Sequence, residues 1–269
     1  MKEWLSCGQY TVCIEGCRNI LSRVNLHWEV SSEEKDSDAV IHIKEGLTES
    51  GSGLSDGWEY QKNGVSVYYQ NGKALIGLES AVSNNVTVYI RKAFESYIRI
   101  GIQYGLMFAL CRECISLHGV TVLCGSEVFI LSAPSGTGKT TLAKLLEKYC
   151  DAVIINGDFA LLHLTEKGVI YEPTPFCGSS GRSLYHRFLI NRVVFLGQAK
   201  GNYWSELDGR EAMTRFMSNA FVPEWDSEMT QAVQGNILKC IDAVKVNVYD
   251  FAPTQEAAEM FFEQVGGRK

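Results

Sequence analysis

The chain has 269 residues, 46% of them hydrophobic and 21% charged, with a formal net charge of −6 from 25 basic and 31 acidic side chains. Those proportions exclude a disordered or fibrous protein and leave room for a core divided between two domains. An acidic balance without a basic cluster interleaved with aromatics argues against a nucleic-acid partner.

The opening "MKEWLSCGQY" lacks the apolar core and small-residue cleavage site of a secretory signal, so the cytoplasm is the expected compartment. Nine cysteines, an odd number spread from Cys7 to Cys240, fit a reducing compartment better than a disulfide framework. Asn85-Val86-Thr87 matches the glycosylation pattern, a chance match without secretion.

From about Gly8 to Ile90, short β-branched or aromatic runs alternate with turn residues: "YTVCIEG", "AVIHI", "GWEYQKNGVSVYYQNGKALIGL" and "NNVTVYI". Asn-Gly tolerates the positive φ angles of tight hairpins, so "KNG" and "QNG" predict turns within a mostly antiparallel sheet. "SSEEKDSD" and "ESGSGLSDG" read as exposed loops. A long helical pattern follows from about Lys92 to Glu113, expected to pack against the sheet that comes after it. Its apolar run, Tyr97 to Cys111, carries Arg99 and is shorter than the roughly 20 residues that span a bilayer, which predicts a buried helix. Cys111 and Cys114 form a C-x-x-C without a second ligand pair nearby, and read as packed thiols rather than zinc ligands.

"CISLHGVTVLCG" and "SEVFILSA" then predict strands, "KTTLAKLLEKY" a helix, and "AVIINGD" and "ALLHLTEKGVIYEP" further strands. After a loop-like "GSSGRS" come a strand "RVVFLGQA", helices "DGREAMTRFMSNAF", "DSEMTQAVQGNILKCIDAV" and "TQEAAEMFFEQV", and a strand "VKVNVYDF" between the last two. The pattern is that of a mixed sheet flanked by helices.

Between the second strand and the helix lies Ala133-Pro134-Ser135-Gly136-Thr137-Gly138-Lys139-Thr140, which meets the phosphate-loop pattern [AG]-x-x-x-x-G-K-[ST]. Gly136 and Gly138 let backbone N–H groups turn inward around phosphate oxygens, and the helix beginning near Lys139 aims its positive dipole end at them. Lys139 is expected to reach the β- and γ-phosphates and the Thr140 hydroxyl to bind Mg²⁺, with Pro134 to Thr141 as the nucleotide-binding segment. Asp158, at the end of the apolar "AVII", stands where such folds place a carboxylate beside the metal or the attacking hydroxyl. Glu172, ending "GVIYEP", is a second candidate for Mg²⁺. Arg182, in the polar "GSSGR" loop, is a candidate to neutralise transferred charge, with Arg187 and Arg192 as rivals. His118, among apolar neighbours, reads from the residues alone as a core histidine, and His163 as structural.

The stretch "ISLHGVTVLCGSEVFILSAPSGTGKTTLAKLLEKYCDAVIINGD" resembles the catalytic core of HPr kinase/phosphorylase and related small bacterial kinases. Its loop "SGTGKTTL" is also similar to that of ATP-dependent phosphoenolpyruvate carboxykinase, which shares that fold; a carboxykinase itself fits least. "YEPTPFCGSSGRS" and "RVVFLGQAKGNYWSELDGREA" extend the resemblance over roughly Ile115 to Phe262. His118-Gly119-Val120 matches the family's His-Gly-Val, and the resemblance gives His118 and Asp158 catalytic roles. The family carries two adjacent aspartates where this chain has Gly157-Asp158, so the base stays open between Asp158 and His118.

The expected fold is a mixed α/β chain: the strand and turn pattern gives an N-terminal mostly antiparallel β-rich recognition domain over 1–91, which lies outside the resemblance, and the resemblance implies an HPr kinase-like P-loop domain with C-terminal helices over 92–269. It implies an ATP- and Mg²⁺-dependent kinase, with Asp158, His118, Lys139 and Arg182 as catalytic residues and Thr140, Asp158 and Glu172 at the metal. The expected acceptor is a hydroxyl, a serine of a peptide or small protein. A small metabolite such as free serine or a sugar, and a non-catalytic ATP sensor or chaperone, stay open as alternatives, as do reverse phosphorylase activity and homo-oligomerisation. No membrane partner is expected.

Overall fold

The structure is a computed structural model and describes residues 1–22, 30–47, 56–60, 64–82 and 84–265. Asn63 of the "KNG" turn and most of "ESGSGLSDG" lie outside the described residues. The chain divides into two compact units, Met1–Leu110 with Pro223–Ser227, and Cys111–Val222 with Glu228–Lys269.

The first unit holds β1 (Lys2–Cys7), β2 (Tyr10–Glu15), α1 (Arg18–Leu21), β3 (Val30–Ser31), β4 (Ala39–Glu45), β5 (Gly57–Tyr60), β6 (Ser66–Gln70), β7 (Lys73–Val82), β8 (Asn85–Ile90) and α2 (Glu95–Ala109). Its strands form one sheet in the order β3-β1-β2-β4-β8-β7-β6-β5. The β2–β4 and β4–β8 pairs are parallel and the other pairings antiparallel. The "QNG" hairpin joins β6 to β7 with Gln70 opposite Lys73, Asn71 at φ 51° and Gly72 at φ 69°, the left-handed pair that a two-residue turn requires.

α2 packs on this sheet, not on the one that follows it as the sequence suggests. Gly101 and Gly105 make the difference, because a Cβ at Gly105 would lie 2.8 Å from Ile41 and one at Gly101 3.0 Å from Val88. Two bare positions one turn apart bring the helix axis close to β4 and β8, while Ile98, Ile102 and Leu106 are buried alongside. Hydrophobic periodicity gives a helix its buried face but not its partner.

The second unit holds β9 (Cys114–Cys124), β10 (Glu127–Ser132), α3 (Lys139–Cys150), β11 (Val153–Asn156), β12 (Phe159–Thr165), β13 (Gly168–Glu172), a 3₁₀ turn (Gly178–Ser180) and β14 (Phe188–Leu189). It continues through β15 (Arg192–Gln198), β16 (Tyr203–Glu206), α4 (Gly209–Asn219), α5 (Ser227–Ala243), β17 (Lys245–Phe251) and α6 (Gln255–Gln264). The sheet order is β14-β13-β12-β9-β10-β15-β17-β16, with β11 also paired to β9. Only β10–β15 and β15–β17 are parallel, so the sheet is mixed, as is the first.

α3 buries Leu142, Ala143, Leu146 and Cys150, spaced along one helical face. They join Val122, Phe129, Leu131, Val194 and Tyr249 of the sheet and Phe261 of α6 in one core. Each buried leucine contributes about 2 kcal/mol by leaving water, and this seating fixes where the N-terminus of α3 points. α4 begins at a capping box in which Asp208 accepts from the Glu211 N–H and Glu211 reaches back. All nine cysteines are free thiols, and Cys111 contacts the Met229 sulfur at 3.5 Å. No helix among the described residues is long and apolar enough to cross a membrane.

Candidate functional site

The loop after β10 is ordered by its own atoms. Gly136 at φ 81° and Gly138 at φ 111° hold left-handed backbone that residues with a Cβ resist, and a Cβ at Gly138 would also lie 3.2 Å from the Phe251 ring. The Thr137 N–H and hydroxyl both donate to the Pro134 carbonyl, at 3.4 and 2.9 Å, and the Gln198 amide donates to the Gly136 carbonyl at 3.2 Å. Pro134, Ser135, Gly136 and Thr141 are exposed and Thr140 is half-buried.

Lys139 opens α3 and is buried, its ammonium donating to the carbonyls of Ala133 at 2.6 Å and Pro134 at 3.2 Å. Burial pushes its pKa below the ordinary lysine value, and the Asp158 carboxylate opposes that shift. An ammonium held by two loop carbonyls beside a helix N-terminus has the chemistry to receive an anion that brings more acceptors than it displaces.

Asp158 is placed by two contacts, one from Asn156 beside it and one from Gly119 of β9. Asn156, fully buried at the end of β11, accepts the N–H groups of Asp158 at 3.0 Å and Phe159 at 3.1 Å, and donates to the Thr174 carbonyl at 3.4 Å and the Ser183 hydroxyl at 3.3 Å. The Gly119 N–H donates to the Asp158 carbonyl at 2.9 Å. Gly119 packs so closely that a Cβ would lie 2.7 Å from Ile130 and 3.0 Å from the Leu131 carbonyl, which explains a glycine between His118 and Val120.

His118 is fixed from the other side, its carbonyl accepting the Ser132 hydroxyl at 2.8 Å at the last residue of β10. The two side chains meet at 3.2 Å between His118 Nε2 and Asp158 Oδ1, and each is more than a third exposed. Such a pair can hold a proton between carboxylate and imidazole while leaving a face open to solvent or substrate.

Glu172 does not join them. It is fully buried, and the Arg187 guanidinium donates to both its oxygens, at 2.8 and 2.6 Å, with His163 Nδ1 3.6 Å away. A buried carboxylate clamped by a bidentate guanidinium is committed to that pair, so the expectation that Glu172 binds Mg²⁺ finds no support in this arrangement. Arg182 is also elsewhere: its guanidinium pairs with Glu147 of α3, two turns beyond Lys139 and about 12 Å along the axis. Its rivals are likewise committed, Arg187 to Glu172 and Arg192 to a buried place over the Trp204 ring.

The segment that carries Arg182 nevertheless reaches the site through its backbone. The Gly157 N–H donates to the Arg182 carbonyl at 3.2 Å, and Asn156 bridges Ser183. The 3₁₀ turn then lies on the Gly157-Asp158 corner. A Cβ at Gly157 would lie 1.9 Å from Ser180 Oγ and 2.4 Å from its Cβ, and one at Gly178 2.8 Å from Asp158 Cβ and Cγ. Ser180 thus fills the space in which a side chain at position 157 would begin, and no residue larger than glycine fits there with the turn in place.

Sequence reasoning passed over Asn156, Ser132, Gln198 and Phe251, and named Ser180 only as part of the loop around Arg182. Asn156 had a signal, since an Asx residue before Gly-Asp is a turn former; the others act through contacts between distant segments. Among the described residues no group of three or more histidine, cysteine or acidic side chains is gathered for a metal.

No family model matches the chain, and no curated protein matches it in sequence. Among solved structures, the chain is similar to the Hpr(Ser) kinase/phosphatase from Coxiella burnetii, with a TM-score of 0.32 and 7% identity over 56% of this chain and 87% of that one.

Proposed function

We propose that the chain is a kinase that uses ATP and Mg²⁺ to phosphorylate a hydroxyl, a serine of a peptide or small protein. The observation that carries the reading is that Ser132, at the start of the phosphate loop, is bonded to His118 and pairs with Gly119, whose N–H holds Asp158, so that the His118–Asp158 pair is anchored to the base of the loop that buries the Lys139 ammonium. Lys139 and the N–H groups of Ser135 to Thr141 bind the phosphate chain, and the N-terminus of α3 stabilises its charge. The Asp158–His118 pair orients the acceptor hydroxyl and takes up its proton, a modest task because phosphoryl transfer passes through a loose transition state.

Magnesium keeps several waters and takes one or two carboxylates beside phosphate oxygens, a requirement that Thr140 and Asp158 meet without Glu172. When bound, it supplies neutralising charge to the phosphate oxygens.

Calorimetric titration with a non-hydrolysable ATP analogue, followed by incubation with labelled ATP and serine peptides, tests the reading. Binding abolished by Lys139→Ala and transfer abolished by Asp158→Asn are expected. Neither binding nor transfer from the wild type would sink it. A second reading, nucleotide sensing without transfer, draws on the turn that covers Gly157-Asp158. Turnover unchanged by Asp158→Asn, with binding still lost in Lys139→Ala, would favour it.

A further inference from the structure

Two serines of the 173–183 segment, Ser183 and Ser180, differ in what their hydroxyls hold. Ser183 donates to the Thr174 carbonyl at 2.5 Å and accepts from Asn156, both buried partners, and so belongs to the scaffold. Ser180 sits in the short turn that lies on Gly157-Asp158, and its bonds stay inside that turn: it donates to the Cys177 carbonyl at 2.6 Å and accepts the Arg182 N–H at 3.1 Å. Its oxygen is 1.9 Å from where a Cβ on Gly157 would stand, one residue before the carboxylate that pairs with His118. Gly178, in the same turn, would put a Cβ 3.2 Å from Asp158 Oδ1, the oxygen that His118 Nε2 faces. Left-handed glycines at φ 55° and φ 66° bracket the turn, Gly178 and Gly181, and permit the tight path that carries a serine over this corner.

We propose that Ser180 is an internal phosphoryl acceptor, modified by the chain's own nucleotide site. The proposal deepens the kinase reading and rests on it. Ser180 Oγ forms a bond to the γ-phosphorus of a bound nucleoside triphosphate as the bond from that phosphorus to the β,γ-bridging oxygen breaks. The nucleoside diphosphate leaves with the bonding electrons, and the hydroxyl proton passes to the Asp158 carboxylate. Ser180 gives up the bond it donates to Cys177 and keeps the one it accepts from Arg182, so the backbone of the turn can hold the product. Because acceptor and nucleotide site share one unit of one chain, the modification is intramolecular.

The test incubates the pure full-length chain with ATP and magnesium and no added acceptor, and reads intact mass and the modified residue by peptide mapping. Nucleotide binding is measured in parallel by calorimetry with a non-hydrolysable analogue. One phosphoryl group per chain on Ser180 is expected, at a rate independent of protein concentration. Ser180→Ala should lose the label while still binding the analogue, Ser180→Thr should keep it, and Asp158→Asn should slow labelling by roughly 10²-fold or more. Binding of the analogue without label on Ser180, or label on another residue, overturns this proposal and leaves the kinase reading standing. Absence of binding overturns both. Labelling that accelerates with protein concentration overturns the intramolecular step.

Discussion

Asp158 and Glu172 place the same functional group in opposite settings within one unit. The Asp158 carboxylate is 38% exposed and meets one histidine, whereas Glu172 has no exposed side-chain surface and is gripped at both oxygens by Arg187. An exposed carboxylate changes partners at small cost, because water replaces whatever is withdrawn. A buried one changes partners at high cost, since withdrawing the guanidinium removes the donor to both oxygens of a charge that bulk water does not reach. The open corner is therefore suited to chemistry and the closed one to holding β13 against the segment that carries Arg187. The two carboxylates, one in the turn between β11 and β12 and one at the end of β13, differ in setting through what lies over them, not through what they are.

The sharpest way to separate the two corners is to remove each charge in turn. Asp158→Asn keeps the shape and the backbone bonds from Asn156 and Gly119, so denaturant midpoints should stay close to wild type. The proposed phosphoryl transfer should fall by roughly 10² to 10⁴, the range for loss of a general base. Arg187→Ala should do the reverse. It takes the bidentate donor from the buried Glu172 and should cost about 3 kcal/mol in urea unfolding, the low end of the range for a broken buried pair because the guanidinium is itself half exposed and His163 stays 3.6 Å from the carboxylate. Affinity for the ATP analogue, measured below the unfolding transition, should stay unchanged. Pairing Arg187→Met with Glu172→Met should recover most of that stability, because hydrophobic groups of similar volume replace buried ion pairs at little cost.

The open corner was more legible in the sequence than the closed one, for reasons that lie in range. The phosphate loop is local: glycines at fixed offsets, a lysine and a threonine declare the backbone they require, and Gly136 and Gly138 adopt it. "QNG" was readable for the same reason, since its turn is complete within four residues. The Glu172–Arg187 clamp joins residues 15 apart across an irregular segment, and no spacing rule announces such a pair. α2 shows the same limit: its apolar face was visible, but the preceding sheet was identified as its partner only by the fit of Gly101 and Gly105 against Ile41 and Val88. Position 157 was readable as a missing carboxylate but not as an occupied space, because Ser180 comes from beyond the next hairpin.

That occupied space gives a test of intermediate size. Gly157→Ala drives a methyl group into Ser180 and should cost about 1–3 kcal/mol, the usual range for overpacking, with the 3₁₀ turn displaced from Asp158. Combining it with Ser180→Gly removes the two nearest atoms, and the next neighbour is the Cys177 carbonyl, 3.1 Å from the new methyl carbon. The pair should then be less destabilised than the sum of the single changes, a coupling that a double-mutant cycle in urea reads directly. Additive losses would mean that Ser180 does not fill that space in solution.

Arg182→Ala should have the smallest effect, and its smallness discriminates. The guanidinium is 53% exposed and pairs with Glu147 on the surface of α3, so its removal should change stability by less than about 1 kcal/mol, and less still at high salt. The segment that carries it is held by backbone and by Ser183, through the Gly157 N–H to the Arg182 carbonyl and the Asn156 bridge, neither of which needs the side chain. Analogue affinity should therefore also be unchanged. If Arg182→Ala instead lowers transfer by tenfold or more with stability intact, the arginine leaves Glu147 for the phosphates when nucleotide binds, and the open corner extends further along the loop than its unliganded geometry indicates.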